Sequence, residues 1–583
     1  MLKSLIPILF GVATTLLSCG NTNKTATPSV TVEASTDADT EKRSISAELK
    51  ANGHLPIEEQ VALYLKLKDE NPTAYNFDNE DELTMYGYGF LWNNQTDAAL
   101  EIFKLIASQF PNSSNAYDSL GEAYMKKGNM ELSLKNYEKS LAMNPDNFNA
   151  EDQIERIKFP NKTPITPQEK FVKVYSVEDY KADLDQLGHK LIEINPNALE
   201  FISKEDFWAI INQKKSLITP QTTYGQFIWH CSEIIASINC SHTTLGGFWQ
   251  ESEMLKDVSL IFPLQTRWVN DKLYVVDAMS NSDMVKPKDE LLSINGITVS
   301  KLVNDIYKHI ESQGYTETTK KHFFNSWSTE LIPYALSFPK TYTITIKGNE
   351  NAIILNKAKD FKAPYRDNSI TPCEANLCLE FYDNTATALM TISSFNYYPW
   401  NNLQEFKDFI DSSFTKIESR NIENLIIDLR LNGGGSAESS IYLLKHLAKA
   451  PFKYFVNSMH SSEHEIHQPV SNTFKGNLYF MIDGNGKSTT GHFMALAKEL
   501  SLGTIVGEEL GSNQLCTAGQ TVCRLKNTKL QYYVANTASR VAVKTLPDTT
   551  GVLPDITVIQ PIEDYLNNID AVKNYTLKLT ETK

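Results

Sequence analysis

One stretch, residues 424–435, constrains the fold of this chain more than any other. It starts as a continuous apolar run over residues 425–429, which predicts a strand buried on both faces. After an Asp-x-Arg pair it ends in three glycines, 433–435, which allow positive φ and bring backbone N–H groups close to a bound group. Residues 436–450 are periodic and helix-forming. The glycines are therefore predicted at a strand-to-helix turn, which suits an anionic ligand or a developing oxyanion.

The length and charge of the chain limit its class. Because 583 residues exceed what one core holds, we expect several domains. A hydrophobic content of 41% with 10% aromatic residues argues against wholesale disorder. The net charge of −15 disfavours nucleic acid as a partner, since phosphate binding needs a basic surface.

The first residues predict export. Lys3 precedes an apolar core, Leu5–Leu17, that is too short to span a bilayer and ends at Ser18-Cys19-Gly20. Residues 1–19 resemble a bacterial lipoprotein signal peptide with Cys19 as the lipidated residue, and an ordinary secretory signal is the alternative. We expect a cell-envelope protein, lipid-anchored to a membrane and facing the periplasm or the cell surface, with residues 20–50 as a flexible tether.

The remaining cysteines leave the disulfide pattern open. An exported chain can oxidise them, and the close pairs Cys373/Cys378 and Cys516/Cys523 can each close a short loop. Cys231 and Cys240 complete the set. No Cys/His spacing is typical of a zinc site, so no metal is expected.

Residues 51–160 contain a repeated pattern. Five positions recur 34 residues apart, with small, aromatic and Pro residues matched: Gly87, Phe90, Ala99, Phe103 and Pro111 with Gly121, Tyr124, Ser133, Tyr137 and Pro145. The spacing resembles tetratricopeptide repeats, which are helix pairs. We expect this all-α domain to bind a protein partner, and a spacer is the alternative.

Residues 166–250 read as amphipathic helices, clearest over residues 180–194 and 204–211. They end at Ser241-His242, followed by a Gly-Gly turn. A His beside a Ser at the end of a helical run predicts a general base at the edge of a cleft, and an ordinary loop histidine is the alternative.

Residues 256–350 are predicted to be β-rich. Within them, Lys288–Val299 and a helix from about 302 to 310 give strand, Asn-Gly turn, strand and helix, as in the second half of a PDZ domain. PDZ domains capture extended peptides as an added strand. The usual carboxylate-binding loop is not recognisable here, so a purely structural PDZ-like module is the alternative.

Residues 370–565 alternate strands and helices. Strands are predicted at 388–392, 425–429 and 478–482, with helices at 403–419 and 493–500. Ser488 falls at the last strand–turn–helix junction, where a helix N-terminus stabilises negative charge, as a nucleophile requires. An N-cap is the alternative role for this serine.

Taken together, these segments resemble the tail-specific, or C-terminal-processing, serine peptidases, and most closely the branch with the tricorn protease core. Over residues 166–561 the matching motifs stand in the family's order: Ser241-His242, Leu292–Gly296, Ile427–Gly435, Ser488-x-x-Gly491, Ile505–Glu508 and Gly551–Asp555. The resemblance implies a multidomain α+β and α/β protein whose peptidase core is built from crotonase-like ββα units.

The resemblance also implies the site. The processing branch has a Lys base downstream of the nucleophile, but residues 507–513 hold no Lys, so the tricorn-like arrangement fits. Ser488 is then the nucleophile and His242 its base, oriented by Ser241 and Asp548. Gly433 or Gly434 forms the oxyanion hole with the Thr489 N–H. Two positions depart from the family: Asp548, where Glu is usual, and Gly491, where many relatives carry an acid.

The resemblance therefore implies a serine endopeptidase that cleaves proteins or peptides without cofactor or metal. Two alternatives stay open. One is a non-catalytic peptide- or protein-binding protein that keeps the fold, and the other is an esterase or amidase with the same nucleophile.

Overall fold

The structure, a computed structural model, describes residues 42–245, 259–349, 351–359, 373, 375–399, 402–457 and 465–581. The predicted signal peptide with Cys19, most of the tether and the Gly246-Gly247 turn lie outside these ranges. The chain divides into two compact units at Pro164 and Ile165. No helix in the described ranges combines the length and the apolar character needed to cross a bilayer.

The first unit is all-α. Its helices are α1 (Ile45–Ala51), α2 (Ile57–Glu70), α3 (Glu80–Trp92), α4 (Thr96–Gln109), α5 (Ser114–Lys126), α6 (Met130–Met143) and α7 (Phe148–Lys158). Helices α3, α4 and α5 each begin 34 residues before α5, α6 and α7 respectively. The predicted spacing is therefore the spacing of helix hairpins.

Small residues allow the close helix crossings of this unit. A Cβ added at Gly87 would lie 2.7 Å from the Phe103 ring, and one at Gly121 would lie 3.1 Å from the Tyr137 ring. Since these pairs occupy equivalent positions of the two hairpins, the repeated Gly and aromatic residues are packing partners. Ser133, which replaces Ala99 in the second copy, donates to the Gly121 carbonyl at 2.8 Å.

The second unit begins with helices and a β-rich part. These elements are α8 (Pro167–Val172), α9 (Val177–Ile194), α10 (Lys204–Leu217), α11 (Tyr224–Ser237), β1 (Thr244–Leu245), β2 (Gln265–Val269), β3 (Lys272–Asp277), β4 (Glu290–Ile294), β5 (Ile297–Thr298), α12 (Val299–Tyr307), α13 (Glu317–Ala335), β6 (Thr343–Ile346) and β7 (Ile353–Ile354). Strands β2, β3, β4, β6 and β7 form one sheet in that order, and β5 pairs with β4.

The predicted strand, turn, strand and helix are present in this part. Ile294 pairs with Ile297 across a two-residue turn in which Asn295 and Gly296 both have positive φ, at 49° and 78°. These values are those of a type I′ hairpin turn. The expectation of a β-rich segment missed the long helix α13, which kinks at Trp327 and contains Pro333.

Helix α13 closes the β2 edge of this sheet. The Asn325 Oδ1 accepts from the Trp268 N–H at 2.6 Å, and its Nδ2 donates to the Trp268 carbonyl at 3.2 Å. Thr266 also donates to Ser328 at 3.0 Å. The amide of Asn325 thus supplies the hydrogen bonds that a neighbouring strand would supply.

The remaining elements form the α/β core. They are β8 (Leu377–Tyr382), β9 (Thr387–Ile392), α14 (Leu403–Ser419), β10 (Asn424–Asp428), α15 (Ala437–Leu447), β11 (Phe452–Lys453), β12 (Phe455–Asn457), β13 (Ile466–His467), β14 (Asn477–Ile482), α16 (Thr489–Glu499), β15 (Thr504–Gly507), β16 (Leu515–Ala518), β17 (Thr521–Arg524), β18 (Gln531–Val534), β19 (Thr537–Val541), β20 (Ile556–Thr557), α17 (Ile562–Leu566) and α18 (Ala571–Glu581).

The central sheet has the order β20-β15-β14-β10-β9-β8, with every neighbouring pair parallel except β8 and β9. All five residues of β10 are buried, which confirms the prediction of a strand covered on both faces. Because parallel strands end at one edge, the turns after β10 and β14 lie side by side. A smaller sheet, β12-β19-β16, follows.

A buried cation ties the end of β10 to the last helix. The Arg430 guanidinium contacts Asp428 at 2.7 Å and Asp570, just before α18, at 2.8 Å. Burial disfavours the charged guanidinium, but the two carboxylates outweigh burial and hold the pKa of Arg430 well above its usual range.

Replacing Arg430 with Met should lower the free energy of unfolding by about 3–5 kcal/mol, because two buried carboxylates lose their cation. Urea denaturation followed by circular dichroism measures this. Arg420→Met is the matched control. Arg420 is half-exposed and lies 3.7 Å from an exposed Asp383, so its loss should cost less than about 1 kcal/mol. Equal losses for the two variants would contradict the expectation.

One of the two short cysteine loops is closed. Cys373 and Cys378 form a disulfide, whereas Cys516 and Cys523 are not joined by one. The second pair cannot close a loop here because its members lie on β16 and β17, which belong to different sheets.

Candidate active site

The turn after β10 approaches the chain at Phe395. The Phe395 N–H donates to the Gly434 carbonyl at 2.9 Å, and the Ser436 N–H donates to the Phe395 carbonyl at 2.8 Å. Gly434 and Gly435 have φ of 100° and 144°. Non-glycine residues rarely adopt such angles, so the run of glycines is a backbone requirement of this turn.

The turn after β14 presents Ser488 at the N-terminus of α16. Its φ of 55° and ψ of −125° lie outside the regions that L-residues favour. Ser488 occupies the N-cap position, but its side chain makes no capping hydrogen bond. The N-cap role is therefore not adopted. A strained serine at a strand-to-helix turn has the geometry of a nucleophile, with its hydroxyl held away from its own helix.

Asn432 joins the two turns. Its carbonyl accepts from the Lys487 N–H at 3.2 Å, and its Oδ1 accepts from the Thr490 hydroxyl at 2.9 Å. The Thr489 hydroxyl donates to the Gly435 carbonyl at 2.6 Å. The glycine turn therefore faces the serine turn, as expected. Sequence reasoning gave Asn432 no role, although its place directly before the glycines was a signal.

Four backbone N–H groups at this junction have no partner within the described ranges, and the two assigned to an oxyanion hole from the sequence, Gly433 and Thr489, are among them; the others belong to Gly435 and Ser488. The Gly434 N–H is different, because it donates to the Asn432 Oδ1 at 2.9 Å. Gly433 is also exposed, whereas Gly434 is buried. Of the two glycines named from sequence, Gly433 has the N–H that is open to a ligand.

Gly434→Ala should lower the free energy of unfolding by about 1–3 kcal/mol, since the added methyl is overpacked and the backbone φ is unfavourable. Its Cβ would lie 2.7 Å from the Ser488 Cβ and 2.7 Å from the Lys487 carbonyl oxygen. Thermal unfolding measures the change. Gly433→Ala is the matched control because its Cβ would meet nothing within 4 Å. A control as unstable as Gly434→Ala would contradict this account.

His242 lies on the loop between α11 and β1. The Thr243 hydroxyl accepts from Asn195 and from the Ala535 N–H, both at 3.1 Å, and Gln520 donates to the His242 carbonyl at 2.7 Å. The His242 Nδ1 lies 3.1 Å from the Ser241 Oγ. The first three contacts hold the loop in place, and the contact with Ser241 is the one made by the imidazole itself.

The imidazole is neutral at ordinary pH. Burial, followed by the positive charge of Lys487, lowers the pKa of His242 to about 4. The Lys487 side chain has no hydrogen-bond or ion-pair partner in the described part of the chain. Burial lowers its pKa as well, against the opposing charge of Glu311. Sequence reasoning named neither Lys487 nor Glu311, although Lys487 directly precedes the predicted nucleophile.

The charge of Lys487 acts on His242, and Lys487 directly precedes Ser488, so the imidazole lies in the neighbourhood of the serine turn. The Ser488 Oγ itself lies 3.4 Å from the Cys516 Sγ, and Thr517, next along β16, contacts Cys240 at 2.9 Å. Within the described residues no hydrogen bond joins His242 to Ser488. Hydrogen bonds between catalytic groups are often long without substrate and shorten in the complex.

Asp548 was predicted to orient His242, and its carboxylate points elsewhere. It forms an ion pair with Arg540 at 2.6 Å and accepts from the Gln514 amide. No hydrogen bond to His242 is present in the described ranges. The physical reason is Arg540 on β19, which lies next to Asp548 and competes with His242 for its carboxylate. The Asp side chain is also one methylene shorter than the Glu expected from the resemblance.

The other departure, Gly491, is explained by packing. A Cβ at this position would lie 2.6 Å from the Ser512 side chain and 2.8 Å from the Asn513 carbonyl oxygen. An acidic side chain therefore has no room three residues after Ser488.

Helix α13 supports the serine turn from the other side. The Thr319 hydroxyl donates to the Gly484 carbonyl at 2.9 Å, and Asn485 donates to the His322 Nδ1 at 3.2 Å. His322 and Lys321 both pair with Glu508. Burial raises the pKa of Glu508, but the hydrogen bond from His322 and the positive charge of Lys321 outweigh burial and lower that pKa to about 2.

Comparisons with known proteins give a family for part of the chain. Residues 386–558 match the model of peptidase family S41. No curated protein sequence matches the chain. In the described parts of the chain, no three or more His, Cys, Asp or Glu side chains are grouped to hold a metal ion.

Several solved structures are similar to this one. Mature CPAF complexed with lactacystin is 14% identical with a TM-score of 0.49, over 70% of this chain and 98% of its own. The photosystem II D1 C-terminal processing protease is 12% identical with a TM-score of 0.31, over 67% and 97%. The tricorn protease is 14% identical with a TM-score of 0.29, over 70% and 37%.

Proposed function

We propose that this protein is an exported, lipid-anchored endopeptidase. The premise is that the chain is a serine-type peptidase with a peptidase family S41 domain over residues 386–558. Its substrates are proteins or peptides. Ser488 is the nucleophile and His242 is the general base. The observation that carries this assignment is the backbone of Ser488, which keeps the hydroxyl out of a capping bond at a helix N-terminus opposite the glycine turn.

In this mechanism the Ser488 Oγ attacks the scissile carbonyl while His242 removes its proton. His242 then gives that proton to the leaving amine. The Gly433 and Thr489 N–H groups donate to the oxyanion, and losing one such donor costs about 3–4 kcal/mol of transition-state stabilisation in comparable enzymes. The same groups then act again on the acyl-enzyme. His242 removes a proton from a water molecule, which attacks the acyl carbon, and the Ser488 Oγ leaves with that proton as the acyl product is released.

The pKa of His242, about 4, supports the role of base. A neutral imidazole is needed to accept the serine proton, and burial with the nearby Lys487 keeps it neutral. The same Lys487 charge opposes formation of the imidazolium, so the base is available over a wide pH range at some cost in strength.

The other parts of the chain fit the same proposal. Cys19 carries the lipid that anchors the protein in the cell envelope. The helix hairpins of residues 80–158 are tetratricopeptide repeats that bind a protein partner or substrate. The sheet of residues 265–354 is a PDZ-like module.

One observation favours a second function, a non-catalytic peptide-binding protein. The Asp548 carboxylate pairs with Arg540 rather than with His242. A site that lacks its usual acid can keep the fold and bind peptides without cleaving them.

Active-site labelling tests the proposal. Protein lacking residues 1–19 is treated with a fluorophosphonate probe and mapped by peptide mass spectrometry, alongside Ser488→Ala and His242→Ala. We expect one labelled site, Ser488, with slower labelling in the histidine variant. A folded protein without label would favour the binding protein. Turnover of esters but not of denatured proteins or peptides would indicate an esterase or amidase.

A further inference from the structure

Gln313 ends a chain of hydrogen bonds that begins at the imidazole of His242. The His242 Nδ1 lies 3.1 Å from the Ser241 Oγ, and the Ser241 hydroxyl donates to the Gln313 Oε1 at 3.4 Å. Gln313 is 1% exposed, in the loop between α12 and α13. No motif of the sequence pointed to it.

The position of Gln313 is fixed by its loop. The Gln313 carbonyl accepts from the Thr316 hydroxyl at 2.8 Å, and the Gly314 N–H donates to the Asn239 carbonyl at 3.0 Å. The Tyr315 N–H donates to the Thr549 carbonyl at 2.8 Å. This loop therefore joins the His242 loop to the turn that carries Asp548.

With the Oε1 of Gln313 facing Ser241, the hydrogens in this chain have one consistent arrangement. The carbonyl oxygen of a glutamine only accepts, so the single hydroxyl hydrogen of Ser241 points at Gln313. Ser241 must then accept from His242, which places the imidazole proton on Nδ1. The Nε2 lone pair is left free, as a general base requires.

We propose that Gln313 is the positioning residue of this site and that, through Ser241, it fixes His242 in the tautomer with Nδ1 protonated. Gln313 thereby does the work that the family resemblance assigns to Asp548, whose carboxylate is held by Arg540 and Gln514. The inference rests on the proposed peptidase function, and it adds a residue and a proton position to it.

A neutral amide orients the imidazole without adding negative charge beside it. Among the described residues, the other charged or titratable groups that act around the loop are Lys487, which acts on His242, Glu311, which acts on Lys487, and the thiols of Cys240 and Cys516. A carboxylate in place of the amide would stabilise the imidazolium and raise the pKa of His242. The amide and carboxylate variants therefore differ in pH dependence.

The first readout is the tautomer. Full-length protein labelled with 15N-histidine is compared by NMR with Gln313→Leu, and His242→Gln assigns the signal. We expect Nδ1 protonated in the wild type and a mixture of tautomers in Gln313→Leu. Protonation on Nε2 in the wild type, or an unchanged signal in the variant, would overturn the proposal. The NMR readout does not require the protein to be active, so it tests the proposal separately from the peptidase assignment. A failure of the peptidase assignment would instead appear as a wild-type protein that is not labelled at Ser488.

The second readout is kinetic. Gln313→Leu should lower kcat and the rate of fluorophosphonate labelling by about 10- to 100-fold, part of the contribution of a well-placed base, with KM little changed. Gln313→Glu should restore most of the rate and move the acidic limb of the pH profile upward. If Gln313→Leu kept wild-type rates and Asp548→Asn lost rate, the residue that orients His242 would be Asp548 and not Gln313.

Gln60→Leu is the matched control. Gln60 is also a buried glutamine whose Oε1 accepts a hydroxyl hydrogen, from Tyr86, but it lies in the first unit. Its loss should leave labelling of Ser488 unchanged. A loss equal to that of Gln313→Leu would mean that removing any buried amide impairs the protein, and this result would also overturn the proposal.

Discussion

Replacement of Ser488 by Ala is expected to reduce peptide hydrolysis by about 10⁶-fold, the effect of removing the nucleophile from a serine peptidase. In the described residues the Ser488 side chain makes one hydrogen bond, with the Cys516 thiol, so the fold should persist without it. Initial rates on a denatured protein substrate measure the loss, and circular dichroism checks the fold. The residual rate reports what the oxyanion hole and substrate binding achieve alone.

Ser501→Ala is the matched control for this experiment. Ser501 also has positive φ, 51°, and it follows the same helix at the opposite end. Both substitutions therefore place Ala at a positive φ, and only one removes the proposed nucleophile. Wild-type turnover by Ser488→Ala would exclude the assignment.

Replacing His242 with Ala should lower kcat/KM by about 10⁴- to 10⁶-fold, because the serine proton loses its acceptor. The wild-type pH profile carries a further signature. Since the pKa of His242 is lowered from 6.5 to about 4, the neutral base is present above that pH and is lost as the pH falls through it. The acidic limb of kcat/KM should therefore lie near pH 4.

The acidic limb is measured by brief exposure to each pH, followed by return to pH 7 to show that activity recovers. His54→Ala, an exposed histidine of the first unit, is the control and should leave the profile unchanged. An acidic limb near pH 6.5 would mean that His242 is solvated or faces a carboxylate during the reaction.

The local pattern of the chain predicted the backbone of the site. The apolar run at residues 425–429 and the three glycines indicated a buried strand and a turn, and the helix 403–419 was predicted at its observed bounds. Such features depend on residues that are close together in the sequence, so they can be predicted from one sequence alone. The facing of the two turns was expected from the resemblance, and in the structure it arises because parallel strands end at one edge.

The side-chain partners could not be predicted in the same way. Gln313 contacts Ser241 and Lys487 acts on His242 from other elements, and no local pattern records which side chains meet after folding. Asp548 shows the same limit, since its motif suggested a contact with His242 while its carboxylate pairs with Arg540 on β19. Helix α13 was missed because its kink and Pro333 interrupt the helical period.

Helix α13 has one further consequence. At Asn325 it occupies the edge of β2, and at Thr319 and His322 it holds the turn that carries the nucleophile. A peptide that added to the β2 edge would have to displace the same helix. If peptide binding at the β2 edge changed the affinity of the Ser488 site for its ligand, then by thermodynamic linkage a ligand at Ser488 would change the affinity of the β2 edge for the peptide by the same factor.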